Sequence, residues 1–450
     1  MSTPDPGASL EDWLQWLEQL HSSEIDLGLE RVQAIALRAG LIDANGQPPR
    51  AEGAATAPVV VTVGGTNGKG SVVSWLAATW RAAGYRVGAY TSPHLLRFNE
   101  RIVCDGTEAS SDSIRDALVA IEQVRGETSL TYFEFTTLAA MQVFTRHRAD
   151  VIVLEVGLGG RLDAVNIWEP DSTVITSIGI DHEAWLGSDR NRIAAEKLGI
   201  ARPGVPLVIG ETDPPAEMPT LAAATQAQCY WLGDDFTAFT PERAEPAATR
   251  GHCTTGGTRV ELPVPRMSGL HQYQNVGIVT TVVESLQQRL PTPVDALADA
   301  LRQVQMPARF EYLELNDKRV VVDAAHNPAA ARMLVRNLRH FYPGCPIHAV
   351  IGIMQDKAID EIVEALAPVV SAWYCGRLSM PRALAPEALA DVIRAQQRRS
   401  EAASAGICVY ASVDAAFRAA TQNVTDNARE IILVSGSFYT VSEVSGLCHS

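Results

Sequence analysis

The sequence predicts an α/β protein of two domains. The larger spans residues 1–306 with a mostly parallel sheet, and the smaller, Rossmann-like one spans residues 307–450. Three observations carry this expectation. From Val59 onward, short β-branched runs alternate with helical stretches, the pattern of a parallel sheet covered by helices. The first run leads straight into a Gly-rich turn and a helix-forming stretch, the order found in phosphate-binding loops. After the Met306-Pro307 break the alternation starts again, which marks a second unit.

Taken in order, residues 9–41 read as helical, with Leu10, Trp13, Leu14 and Leu17 at helical spacing. HSSEIDLGLERV interrupts the pattern before Leu29 to Leu37 resume it. Residues 43–58, rich in Pro, Gly and Ala, read as a mobile surface loop. Strands are expected at Val59–Val63, Val151–Val156, Thr173–Ile178 and Pro206–Ile209, and helices at 71–83, 134–147 and 190–198. Residues 211–265 read as an antiparallel excursion. In the second domain the expected strands are Val320–Asp323, His348–Ile353, Ala372–Cys375, Ile407–Tyr410 and Ile431–Val434.

Composition excludes several classes. With 46% hydrophobic and 20% charged residues, the 450-residue chain has the make-up of a globular protein. A net charge of −15 argues against a broad nucleic-acid surface, though not against a local basic pocket. Seven scattered cysteines with no C-x-x-C pair fit reduced thiols in a cytoplasmic protein. The N-terminal residues do not read as a signal peptide, and no apolar run is long enough to span a bilayer. Neither nucleic acid nor membrane is expected as a partner.

The motif with the most chemistry is VTVGGTNGKGSVVSWL, residues 61–76. Backbone amides from Thr66 to Gly70, ahead of a helix N-terminus, make an anion cradle, and Lys69 supplies a point charge. The usual loop places its hydroxyl directly after the lysine, whereas here Gly70 separates Lys69 from Ser71. TSPHLLRFNERI offers Ser92 at a strand end and Arg97 and Arg101 for an anionic group, although solvated arginines beside a Ser-Pro turn are the default. In ADVIVLEVGLGGRLDAVN, Glu155 ends an apolar strand, where burial is costly without a cation or donor. The glycines at 157, 159 and 160 then let backbone approach a ligand. Asp181 and His182 follow another strand, and His182 is a ligand candidate beside Ser92 and Glu155. Lys197 reads locally as a cation at a helix end. In the second domain, Asp323, His326 and Asn327 end a strand before Pro328, Arg309 stands at the junction, and GSFYTV makes a Gly-Ser turn. Each of these alone reads as turn chemistry.

Together the segments LEQLHSSEIDLGLERV, VGGTNGKGS, TSPHLLRFNERI, SLTYFEFTTLAA, LEVGLGGRLDAVN, TSIGIDHEAWLG, EKLGI, DAAHNPAA, IGIMQDK, MPRAL and GSFYTV resemble the folylpolyglutamate synthase and dihydrofolate synthase family of Mur-ligase-like ATP-dependent amide ligases. The resemblance runs from about residue 9 to about 445, and SLTYFEF and GRLDAVN point to its bifunctional bacterial branch. It implies a P-loop ATPase domain and a glutamate-ligase domain. It also implies that ATP activates a substrate carboxylate as an acyl phosphate, which the amine of L-glutamate then attacks.

By motif, the resemblance assigns Thr66, Asn67, Gly68, Lys69, Gly70 and Ser71 to the ATP phosphates, and Asn275, Arg309 and Asp323 to the nucleotide. Magnesium, at two sites, would be held by Ser92, Glu155 and His182, with Ser92 favoured over Ser71 as the hydroxyl; a monovalent cation is also implied. Lys197 would be carbamylated by CO2. Dihydropteroate or a reduced folate would meet Asp26, Leu27, Gly28 and Leu29, then Thr131, Tyr132, Phe133 and Glu134, then Leu162, Asp163 and Ala164. L-glutamate would enter near Arg97, His326 and Ser437, with Lys69, Lys197, His182 and His326 serving catalysis in an enzyme expected to be monomeric. The chain departs from the family pattern at Ala308, where glycine is common and whose replacement stiffens the hinge, and at Tyr439, where histidine is common. The alternatives are a monofunctional folylpolyglutamate synthase and another Mur-type amino-acid ligase. A peptidoglycan-precursor ligase would want a uridine-nucleotide domain in the space of the 58 residues before Val59. A kinase-type P-loop enzyme predicts GK[ST] with no inserted glycine.

Overall fold

The computed structural model describes residues 3–21, 23, 25–243, 248–315, 317–399, 405–427 and 429–448. It divides into two compact units, Met1–Pro265 with Tyr273–Val304 and Arg266–Gln272 with Gln305–Ser450. Residues 266–272 group with the second unit, an excursion that a single cut in the chain does not capture.

The first unit is built on eight strands: β1 Val59–Gly64, β2 Val87–Tyr90, β3 Ile102–Cys104, β4 Thr107–Glu108, β5 Val151–Glu155, β6 Ser172–Ile175, β7 Pro206–Ile209 and β8 Gln228–Trp231. They form one sheet in the order β4-β3-β2-β5-β1-β6-β7-β8. Pairing is parallel from β2 to β8, and only β3 and β4 run antiparallel at one edge. Every residue of β1 and β5 is buried, as expected of strands covered on both faces. After β1 the chain crosses to β2, fills the gap with β5, and then continues on the other side with β6. That reversal puts a crevice at the carboxyl ends of these strands, where open α/β sheets bind ligands. A three-stranded antiparallel sheet follows, β9 Thr240–Pro241, β10 Arg250–Thr255 and β11 Thr258–Pro263, realising the expected excursion.

The helical N-terminal region forms two separate helices. Leu10–Leu17 starts on a capping box between Ser9 and Asp12 and buries Leu10, Trp13, Trp16 and Leu17; Glu30–Arg38 buries Val32, Ile35 and Ala36. Residues 43–58 form no helix or strand. Several expected boundaries move by one to three residues, two of them beside the Gly-rich turn. Helix Lys69–Ala82 begins two residues before the expected 71, because left-handed Gly68 (φ 90°) caps it and brings Lys69 into the first turn. β6 ends at Ile175 instead of continuing to Ile178, because Thr176 and Ser177 turn away to bond the loop after β1.

The second unit holds six strands: β12 Glu311–Leu315, β13 Lys318–Asp323, β14 Ile347–Ile351, β15 Val370–Gly376, β16 Gly406–Tyr410 and β17 Ile431–Ser435. The order is β12-β13-β17-β14-β15-β16, with only the β12–β13 pair antiparallel. Its core includes Phe310, Val321, Leu334, Ile351, Trp373 and Leu433. Among the described residues no helix is long and apolar enough to cross a membrane.

Candidate active site

The register aligns Val63 with Glu155, Tyr90 with Leu154, and Gly64 with Ile175, so the loops leaving β1, β2, β5 and β6 emerge together. The loop after β1 is pinned to the one after β6. Thr66 N–H donates to Ser177 O (2.8 Å), Asn67 N–H to Ser177 Oγ (3.0 Å), and Thr66 Oγ1 to Gly179 O (3.0 Å). Gly65 has φ 140°, and a Cβ there would lie 1.9 Å from Thr176 Oγ1, so only glycine fits. This narrows the expected cradle. The Thr66 and Asn67 amides are spent on the protein, which leaves those of Gly68, Lys69 and Gly70, at the start of the helix, to meet an anion. Asn275 packs on the turn, its Oδ1 3.1 Å from where a Gly68 Cβ would stand.

Two lysines converge on one oxygen. Lys69 Nζ donates to Gly65 O at 3.1 Å, and Lys197 Nζ donates to the same carbonyl at 3.0 Å. Lys69 Nζ lies 4.0 Å from Glu155 Oε1, and the Ser92 amide donates to Glu155 Oε2 at 3.2 Å. Lys197 is not the solvated helix-end cation that its local sequence suggests. Only 4% exposed, it has its pKa brought down to about 7, first by burial and then by the charge of Lys69, with Asp181 and Asp163 opposing. His182 caps the short helix Glu183–Leu186 from a left-handed backbone (φ 52°) on the surface.

Glu155, 3% exposed, is a buried carboxylate beside a serine. Among the described residues no three His, Cys, Asp or Glu side chains cluster as a metal cage. One carboxylate and a hydroxyl suit magnesium, which keeps several waters and takes its remaining ligands from substrate phosphates.

Two of the glycines after β5 are needed for close approach to protein. A Cβ on Gly157 would lie 2.6 Å from Phe133 Cζ, and one on Gly160 would lie 2.8 Å from Glu196 O. Gly160 therefore lets this loop clamp the helix carrying Lys197, and Arg161 N–H seals it onto Glu196 O (2.8 Å). Asp163 is buried, and its carboxylate accepts the Leu158 and Val165 amides (2.8 and 3.0 Å). Burial, partly offset by those bonds, pushes its pKa up to about 6. Thr131 and Glu134 form the capping box of helix Tyr132–His147. Their polar groups thus have structural work, while Tyr132 and Phe133 between them are both part-exposed aromatics, Phe133 lying 5.9 Å from Tyr90 between ring centroids. The fold brings the Asp26–Leu29 segment to this helix through a residue that the motif reading missed: Arg31 pairs with Asp26 and with Glu134 (2.8 Å). A cation five residues after Asp26, ahead of an acid at a helix start, was the available signal.

The arginines after β2 differ in their surroundings. Arg97 is 69% exposed and pairs with Glu108. Arg101 lies over Phe98 and Tyr132 (5.5 and 5.9 Å to the ring centroids) and donates from Nε to His94 Nδ1 at 2.9 Å. Burial first, then Arg101, lowers His94 to about 4, so it accepts as a neutral ring.

In the second unit, Asp323 accepts the Phe310 and Ala325 amides, both at 2.9 Å, and burial pushes it up to about 6 against the pull of Arg309. Its expected contact with the nucleotide therefore competes with a backbone clamp. Asn327 caps helix Pro328–Phe341 by accepting Ala330 N–H, and Ser437 Oγ accepts Thr440 N–H at 3.0 Å. Both follow the turn-chemistry reading.

Comparison with known proteins decides the family. The Mur ligase middle domain matches residues 63–283, and the Mur ligase, glutamate ligase domain matches 308–438. A dihydrofolate synthase/folylpolyglutamate synthase of Escherichia coli (strain K12) is 36% identical over 442 residues, covering 98% of this chain and 96% of its own. The chain belongs to the dihydrofolate synthase/folylpolyglutamate synthase family. Two solved structures share the family fold. E. coli FolC in complex with DHPP and ADP has a TM-score of 0.88 at 34% identity, covering 99% of both chains. A bifunctional folylpolyglutamate synthase/dihydrofolate synthase with Mn, AMPPNP and L-glutamate bound has a TM-score of 0.85 at 37% identity, covering 100% of both.

Proposed function

We infer that this chain is an ATP-dependent ligase that joins L-glutamate to dihydropteroate, giving dihydrofolate, and to reduced folates, giving folylpolyglutamates. The observation that carries the reading is the meeting of Lys69 and Lys197 on the Gly65 carbonyl, with Glu155 4.0 Å from Lys69, at the carboxyl ends of parallel strands. Attack by a carboxylate on a γ-phosphate brings negative charges together, so positioning and cation screening must do most of the catalysis. A substrate carboxylate oxygen bonds to the γ-phosphorus as the bond to the ADP oxygen breaks. The glutamate amine then adds to the acyl carbon of that phosphate. The tetrahedral intermediate expels phosphate, and the amine proton leaves to a base.

In this scheme the Gly68–Gly70 amides and Lys69 hold the phosphates, and Asn275 steadies the turn beneath them. Ser92, Glu155 and His182 hold a divalent ion that screens the transferring phosphoryl group. A neutral amine is the form that attacks CO2, and Lys197, brought to about 7, is poised to become a carbamate. Phe133 gives the pterin a flat face. Arg309 and Asp323 serve the nucleotide, and His326 and Ser437 serve glutamate.

The test is glutamate-dependent ADP release, run separately with dihydropteroate and with tetrahydrofolate. Turnover with both supports the bifunctional reading, turnover with tetrahydrofolate alone reduces it to a monofunctional folylpolyglutamate synthase, and turnover with neither refutes it.

A further inference from the structure

The Gly-Ser turn after β17 also does structural work, beyond the part given to Ser437. Gly436 has φ 112°, and a Cβ there would lie 2.5 Å from Gly352 O. Ser437 Oγ takes the Thr440 amide (3.0 Å), and Thr440 Oγ1 donates to Gly352 O (2.6 Å). This seats the turn firmly and fixes Phe438 as the first residue of helix Phe438–Cys448. Two side chains meet its ring. The Arg309 guanidinium carbon lies over it, 5.0 Å from the centroid, and the His326 ring centroid is 5.8 Å away.

The backbone on either side of Arg309 is fixed as well. Its neighbours Ala308 and Phe310 are left-handed (φ 61° and 51°), and their amides are taken by Glu311 (3.0 Å) and Asp323 (2.9 Å). Such conformations persist only where the surroundings over-determine them. His326 Nδ1 donates to Ala324 O at 2.8 Å. Both side chains are thus tethered at the backbone end and share one aromatic platform at the other.

We propose that Phe438 is a positioning residue whose ring holds Arg309 and His326 together, so that one side chain sets the orientation of both the nucleotide-directed guanidinium and the glutamate-directed imidazole. This rests on the roles given to Arg309 and His326 under the proposed function. A half-exposed cation–π contact of this kind corresponds to roughly three- to tenfold in an equilibrium constant.

The experiment is steady-state ADP release by Phe438→Leu, Phe438→Tyr, Arg309→Ala, His326→Ala and the Phe438→Leu/Arg309→Ala double variant, with melting temperatures in parallel. Phe438→Leu is expected to raise KM for ATP and for L-glutamate roughly three- to tenfold each, with KM for dihydropteroate within about twofold. Phe438→Tyr, which keeps the ring, restores both. In the Arg309→Ala background, Phe438→Leu adds nothing further to KM for ATP, because the coupled partner is already gone. Unchanged KM values in Phe438→Leu, an equal rise for dihydropteroate, or multiplicative effects in the double variant would overturn the inference alone. Wild-type KM values in Arg309→Ala and His326→Ala overturn the roles beneath it, and the inference with them.

Discussion

The two units each end parallel strands in a glycine-bearing turn beside charged side chains, yet they treat those charges in opposite ways. In the first unit, two lysines share the Gly65 carbonyl, and a buried Glu155 faces one of them at 4.0 Å. In the second, both oxygens of Asp323 accept backbone amides, and Arg309 lies on an aromatic ring. Burying like charges against each other is costly, and proteins keep such groups where chemistry needs them. A charge fully engaged with backbone is a fastening. On the proposed function, the first unit is where bonds would change, and the second would present Arg309 and its neighbours.

The largest test of that contrast is Lys197→Ala. Activity should fall by a factor on the order of 10²–10³, as when an electrostatic group is removed from a transition state, with partial recovery on adding short carboxylic acids. Wild-type-like ADP release would place Lys197 among the fastenings instead. Gly65→Ala should come next. The new Cβ meets Thr176 Oγ1 at 1.9 Å, so the loop must shift and take with it the carbonyl shared by both lysines. We expect a loss of about 2–4 kcal/mol in unfolding free energy and at least a tenfold fall in kcat/KM. A variant with the wild-type melting temperature would show the turn to be slack.

The pH dependence is smaller. Lys197 holds its proton with a pKa of about 7 in the folded protein, against about 10.4 in an unfolded chain. Between those values the unfolded state binds the extra proton, so this group makes stability rise with pH; below about 7 its full penalty applies. Lys197→Met, measured with chelator and without bicarbonate, should melt above the wild type at pH 6 by a few degrees, on the order expected for one or two kcal/mol. The gap should close toward pH 10. A gap that does not change with pH would mean that Lys197 is not titrating in this window. Smallest is Ala308→Gly in the second unit. Ala308 is left-handed (φ 61°), a strain of about 1–2 kcal/mol for alanine. Glycine removes it but adds about 0.4–1 kcal/mol of unfolded-chain entropy, for a net gain between zero and about 1.6 kcal/mol. A lower melting temperature would show that the alanine methyl contributes packing that outweighs the strain.

Much of the fold was legible from periodicity. β-Branched runs at Val59, Val151, Pro206 and Ile431 are strands because nothing in their neighbourhood offers another use for them. The misread boundary at Thr176–Ile178 had no local signal, since only the loop after β1, more than a hundred residues away in sequence, draws those residues out of the strand. The site was legible as a set of residue types and much less as a set of roles. Thr131, Glu134 and Asn327 have the pattern of caps and act as caps. Arg31 and Arg101 owe their environments to segments distant in sequence, as does the burial of Lys197.

The sequence by itself determined the family, the parallel architecture and the inventory of chemical groups, because glycine turns, strand patterning and motif order are local properties. Only the tertiary structure decided which groups are costly. Lys197 becomes a neutral-leaning amine because the fold buries it and sets Lys69 beside it, and burial and mutual charge are properties of neighbours that the chain order does not record.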